Sequence, residues 1–181
     1  VSGWAGSLDP EPIQDIDVFI DNVAVPREFI QASRNPSPDV AKHHPDLTMA
    51  ERARFYVRIE RKAVDSSPYR DGHLLCVRPR FADGSVGLPL FQVFETTIPM
   101  PSEEATSSVG GSIEAGMQVL SQLIGRLDFV PTDRVLDIGC GVGRVAYPLA
   151  YYMRDRGLLS GFDVMRDAID LANKTIAAHR S

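Results

Sequence analysis

Val135-Leu136-Asp137-Ile138-Gly139-Cys140-Gly141-Val142-Gly143-Arg144 is the stretch on which the reading of this chain turns. An apolar, β-branched run carries an acid near its end, and three glycines follow at alternate positions. Ala146, Leu149, Ala150 and Met153 then recur at helical spacing. The pattern predicts a buried parallel strand, a tight turn and a helix start above the strand end. Glycine at Gly139, Gly141 and Gly143 permits positive φ and removes the Cβ atoms that would hold a ligand off the backbone. Free N–H groups at such a helix start would offer donors to a carboxylate or phosphate.

A dinucleotide fingerprint, G-x-G-x-x-G, wants glycine where this chain has Arg144. The order here is D-x-G-x-G-x-G instead, and it resembles the first motif of class I S-adenosylmethionine-dependent methyltransferases. A second mark follows at Leu158-Leu159-Ser160-Gly161-Phe162-Asp163, a short apolar strand ending in an acid. The resemblance implies S-adenosylmethionine as cofactor. It implies that Asp137 and the turn Gly139, Cys140, Gly141 and Gly143 hold its methionine part. Asp163 would accept both ribose hydroxyls, as a carboxylate can, and Val164 and Met165 would border the adenine. Within the turn, Cys140 is expected to contribute its backbone N–H and a small side chain rather than a nucleophile. An acid at a strand end facing a cleft holds no core together, so removing Asp163 is expected to weaken binding and leave folding nearly unchanged.

Composition narrows the classes. The chain has 181 residues, 44% of them hydrophobic and 24% charged, which is ordinary for a globular protein. A net charge of −5 gives no electrostatic case for nucleic acid. No apolar run approaches the roughly 20 residues of a membrane span. Two cysteines, Cys76 and Cys140, do not make a disulfide framework, and a reducing cytoplasmic setting is expected.

Residues 1–95 read as β. Ile16 to Asp21 alternates, Val23-Ala24-Val25 resumes after a turn at Asn22, and Phe55, Val57 and Ile59 alternate with Tyr56, Arg58 and Glu60. Leu74 to Phe81 and Leu88 to Phe94 flank Ala82-Asp83-Gly84-Ser85, a hairpin turn. Between Val25 and Phe55 lies an excursion from Gln31 to Met49, rich in Pro, Asp and Ser. About seven short strands in this length is the rhythm of an immunoglobulin-like sandwich. Gly3-Trp4-Ala5, Ile20-Asp21-Asn22, Pro38-Asp39-Val40-Ala41, Asp71-Gly72-His73-Leu74 and Asp83-Gly84 together resemble small β-sandwich domains attached to enzymes of bacterial surface-polysaccharide biosynthesis. That resemblance implies an accessory role. Trp4 is expected in the sandwich core.

Residues 96–111 read as a linker. From Ser112, an N-cap with Glu114 in the first turn, a helix is expected to about Leu127 with Ile113, Met117, Leu120, Ile124 and Leu127 on its packed face. The methyltransferase resemblance implies that this helix closes over the cofactor, with Gly110, Gly111 and Gly116 giving close backbone approach. Met165 to about His179 reads as a last helix, with Met165, Ile169, Ala172 and Ile176 inward. Pro148 predicts a mild kink if the preceding helix begins near Val142.

The expected organisation is therefore a β-sandwich over 1–95, a linker over 96–111, and the N-terminal portion of an α/β Rossmann-like methyltransferase domain over 112–181, truncated after two strands. Such a portion would leave an apolar sheet edge open and supply the cofactor half only, so no catalytic residue is named. Methyl transfer to a small molecule or a sugar or polysaccharide hydroxyl is the leading function. A nicotinamide-dependent oxidoreductase and a non-catalytic carbohydrate-binding or assembly module are the alternatives. His43, His44 and Asp46 have no third ligand at helpful spacing, and no metal is expected. Arg52, Arg54, Arg58, Arg61 and Lys62 are interleaved with Glu51 and Glu60, and their alternation places several on a strand's solvent face.

Overall fold

A computed structural model describes residues 2–4, 13–47, 50–108, 112–154 and 157–179. By internal contacts the chain forms two compact units, one of residues 1–68 and 77–88, the other of residues 69–76 and 89–181. The compositional break between Glu95 and Ser112 falls inside the second unit.

In the first unit, β1 (Ser2–Trp4), β4 (Ile30–Asn35) and β5 (Arg54–Ile59) make an antiparallel sheet ordered β1-β5-β4. A second sheet carries β2 (Ile13–Ile20) between β3 (Val23–Ala24) and β6 (His73–Phe81). The β2–β3 turn needs positive φ at Asp21 and Asn22, a conformation these two residue types tolerate better than most. Asp21 is also buried, and its carboxylate accepts a 2.6 Å bond from the Ser67 hydroxyl. At the expected hairpin, Phe81 N–H donates to Ser85 O, Gly84 N–H to Phe81 O, and Asp83 caps Ser85 N. Ile16, Val18 and Ile20 are buried with Phe55 and Val57, as alternation predicts.

Among the described residues seven strands precede Glu95, but the segment is not all β. Helices α1 (Pro38–His43) and α2 (Arg61–Asp65) interrupt it. The excursion from Gln31 holds most of β4 as well as α1. Arg61 and Lys62 lie in α2 rather than on a strand, and Arg52 lies in a 3-10 turn. The side chain of Trp4 lies outside the described residues, so its expected place in the core is not assigned.

The second unit begins with the first residues of β6, beside which lies β7 (Leu90–Phe94). The expected linker contains a helix, α3 (Glu103–Ser108), while Gly110 and Gly111 lie outside the described residues. Then come α4 (Ile113–Leu127), β8 (Arg134–Ile138), α5 (Ala146–Met153), β9 (Leu158–Phe162) and α6 (Arg166–Thr175). Ser112 caps α4 by accepting from Ala115 N–H. Ile113 and Leu120 of α4 are buried, whereas Leu127 is 71% exposed. Leu127 is the last residue of the helix, and the chain leaves it through Asp128 at φ 52°.

The core of this unit gathers Leu74, Ile98, Leu120, Tyr147, Leu149 and Tyr151, each at most 1% exposed. Two of them, Leu74 and Ile98, precede the helices, so residues 69–76 and 89–98 contribute to the core of this unit. At the end of α5, the Arg154 guanidinium pairs with Asp71 at 3.1 Å, donates to Gly72 O at 2.7 Å and lies 3.7 Å from the Tyr69 ring.

Candidate functional site

Strands β8 and β9 run parallel, with Asp137 opposite Gly161 and Ile138 opposite Phe162. Their C-terminal ends therefore come out side by side, and the glycine turn and Asp163 leave from the same edge. Val135 and Leu159 are half-buried on the helix side, while Leu136 and Ile138 are 61% and 70% exposed on the other.

The turn takes the expected backbone. Gly139, Gly141 and Gly143 have φ of 80°, 52° and 84°. A Cβ on Gly139 would meet nothing within 4 Å, so this glycine leaves the backbone open to a ligand. Gly143 serves a different purpose. A Cβ there would come within 2.5 Å of Ile176 Cδ1, so its bareness lets the segment after α6 pack on the turn.

The N–H groups do not do what the sequence suggested. Gly139 and Cys140 both donate to Phe162 O, at 2.9 and 3.2 Å, and Gly143 donates to Cys140 O at 3.0 Å. Gly141 donates to Asp163 Oδ2 at 2.8 Å. Four donors of the turn are thus used within the protein. The helix also starts at Ala146, later than expected, so Pro148 falls in its first turn, where a missing N–H costs no intrahelical bond and calls for no kink.

What the site presents is acceptors. Asp137 Oδ2 is buried without a hydrogen-bond donor among the described residues. Burial raises the pKa of this carboxyl and the nearby Asp163 adds to the rise, while Arg144 opposes it. Asp163 is the opposite case. Its two oxygens accept from Met165 N–H and Gly141 N–H, each at 2.8 Å, and these bonds hold its pKa below the usual value. Each oxygen keeps a lone pair for a further donor. Asp163 also ties the turn to the end of β9, so the expectation that its removal leaves folding nearly unchanged does not survive this geometry.

The remaining expected residues sit as follows. Val164 is 99% exposed and Met165 47% exposed, just beyond Asp163 at the open side; Met165 is the N-cap of α6, not a residue of its inner face. The Cys140 side chain packs against Gly161, where a Cβ would come within 2.9 Å of its own Cβ. Burial raises the thiol pKa, with Asp137 and Asp163 adding to it, which suits a packing role and not a nucleophile. Asp137 and Cys140 also line a groove of about 330 Å³ among Leu149, Leu159, Ile169 and Ile176.

Gly116 faces protein rather than cleft. A Cβ on it would lie 2.0 Å from Arg144 O, so α4 is pressed against the start of α5. Gly161 was missed as a packing position; a glycine inside an apolar strand is the signal that marks close approach.

Among the described residues, no helix is long and apolar enough to cross a membrane. No solved structure matches the chain. Methyltransferase GfsG of Streptomyces halstedii is 37% identical over 71 residues, which are 39% of this chain and 24% of that protein. The chain therefore spans about a quarter of that relative's length, and its first 108 residues lie outside the family match. Residues 109–181, which hold the turn, both acids and the two parallel strands, match the family of the methyltransferase small domain.

Proposed function

We propose that this chain provides the S-adenosylmethionine-binding part of a methyltransferase acting on a small-molecule or sugar hydroxyl, with the strands in front serving an accessory role. The observation that carries the reading is the polarity of the site. Four N–H groups of the turn are satisfied within the protein, while a buried carboxylate oxygen of Asp137 is not. A pyrophosphate needs donors, as helix N-termini supply, and this turn has few left to give. A cofactor whose polar ends are an ammonium and two ribose hydroxyls brings its own donors. A nicotinamide-dependent oxidoreductase is disfavoured on the same ground.

In this reading Asp137 accepts from the ammonium end, Asp163 uses its remaining lone pairs for the ribose hydroxyls, and open Gly139 lets the ligand approach. Val164 and Met165 flank the adenine. Bound S-adenosylmethionine supplies an electrophilic methyl group. The chain's part is to hold it in a fixed orientation, an effect that reaches roughly 7–11 kcal/mol in well-aligned reactions.

Calorimetric titration of S-adenosylmethionine and of NADH into protein carrying this chain tests the proposal. Binding of the first and not the second is expected. Asp137→Ala should weaken it by roughly 10- to 150-fold, the worth of about 1.5–3 kcal/mol for a bond to a charged group. Asp163→Ala should lower affinity and melting temperature together. Preferential NADH binding, or unchanged S-adenosylmethionine affinity in both variants, would overturn the assignment.

A further inference from the structure

The outer face of the β1-β5-β4 sheet lies in the other unit and plays no part in the site above. Register puts Gln31 opposite Arg58, Ser33 opposite Tyr56 and Asn35 opposite Arg54, and residues opposed across an antiparallel pair share a face. Phe55 and Val57 point inward, at 4% and 2% exposure, so Arg54, Tyr56 and Arg58 point outward. Tyr56 is 46% exposed, and Gln31, Ser33 and Arg58 are exposed with it. The ring is thus flanked along its strand by two guanidinium groups and across the ladder by amide and hydroxyl groups.

The charge of this face runs against that of the chain. Its strands carry no carboxylate, in a protein of net charge −5. Asp39 of α1 pairs with Arg54 at 2.6 Å, and Glu60 follows the end of β5. An aromatic face, a cation beside it and a row of groups that both donate and accept suit a ring that bears hydroxyls and an acid. Single-stranded nucleic acid would want a basic groove along its backbone and further stacking rings, where β4 offers Gln31, Ser33 and Asn35.

We propose that this face binds an acidic oligosaccharide, with a sugar ring on Tyr56, its carboxylate on Arg58, and its hydroxyls on Gln31, Ser33 and Asn35. The proposal is independent of the methyl-transfer reading. The test is titration of a galacturonic acid oligosaccharide into the whole chain, followed by nuclear magnetic resonance, beside a neutral galactose oligosaccharide and an oligo(dT). Binding of the uronate that weakens with added salt is expected, with the neutral sugar at least about tenfold weaker. Tyr56→Ala and Arg58→Gln should each lose about tenfold, Tyr56→Phe should retain binding, and every variant should still melt cooperatively, Tyr56→Ala a few degrees lower because it sits on a central strand. No uronate binding, binding unaffected by Tyr56→Ala and Arg58→Gln, or tighter binding of oligo(dT) would overturn it.

Discussion

Removing Asp71 should destabilise the second unit far more than an ordinary surface ion pair would suggest, because its partner has nowhere to go. The Arg154 side chain is 4% exposed, whereas Asp71 is 36% exposed. Asp71→Ala therefore leaves a buried guanidinium without this carboxylate, beside Gly72 O at 2.7 Å, Tyr151 O at 3.1 Å and the Tyr69 and Tyr151 rings. Breaking a fully buried pair costs about 3–5 kcal/mol. The solvent access of Asp71 and the two remaining carbonyl acceptors reduce this to about 2–3 kcal/mol, or a fall in melting temperature of roughly 5–10 °C. Arg154→Met keeps the stem but leaves both carbonyls without that donor, at about 1–3 kcal/mol each when buried. It also removes the contacts that hold Arg154 at φ 32°, a strained value for a side-chain-bearing residue. Urea unfolding followed by circular dichroism, on both single variants and the double, gives the coupling. The two costs should be non-additive by more than about 1 kcal/mol. Additive losses, or an Asp71→Ala cost under about 0.5 kcal/mol as for an exposed pair, would refute the claim that residues 69–72 are bolted to α5.

Gly116→Ala sets two effects against each other: about 1 kcal/mol gained in helix propensity and the overpacking of a Cβ 2.0 Å from a backbone carbonyl, about 1–3 kcal/mol or more. Because the obstacle is backbone, net destabilisation is expected in a thermal melt, and a stabilised variant would mean α4 is not pressed on the turn. Ser112→Ala removes a long cap, 3.4 Å to Ala115 N, and should cost about 0.5 kcal/mol, the low end for this position, by denaturant titration. The two acids should give opposite pH signatures in denaturation curves. Asp137, raised in the fold, holds more protons folded than unfolded, so its contribution falls as pH rises from 3.8 through its raised value. Asp137→Asn should remove that decline, and S-adenosylmethionine affinity should climb over the same interval. Asp163, lowered, contributes stability above 3.8 that is lost as pH falls through its folded value, and Asp163→Asn should flatten that acid limb.

Much of this was legible in the residues because burial writes itself into period. Phe55 and Val57 alternate and are buried, and the glycine turn and both strand-end acids stand at one sheet edge as the pattern implied. β4 was not legible. In Ile30-Gln31-Ala32-Ser33-Arg34-Asn35 the apolar alternation stops after Ala32 and no residue is buried, since the strand is fixed by its six-residue register with β5 rather than by side chains it buries. α2 escaped for another reason. Five residues are too few to write a helical period, and a helix this short stands on tertiary contacts, here the burial of Ala63 and Val64.

The site repeats the distinction at finer scale. Glycine and aspartate are chosen for what they permit locally, so the turn and the acids could be read from their order alone. Where the turn's N–H groups point depends on a residue far along the chain. Phe162 O takes two of them because β9 lies parallel to β8 with Phe162 opposite Ile138, one residue before the turn. That placement changes the chemistry of the site. Had the same N–H groups been free, the turn would be a cradle for phosphate. With them used to tie two strand ends together, and with Asp163 engaged by Gly141, the turn becomes a rigid support for two carboxylates. In the proposed reading the ligand supplies the hydrogen-bond donors, and the acids, more than the glycines, decide what this edge can hold.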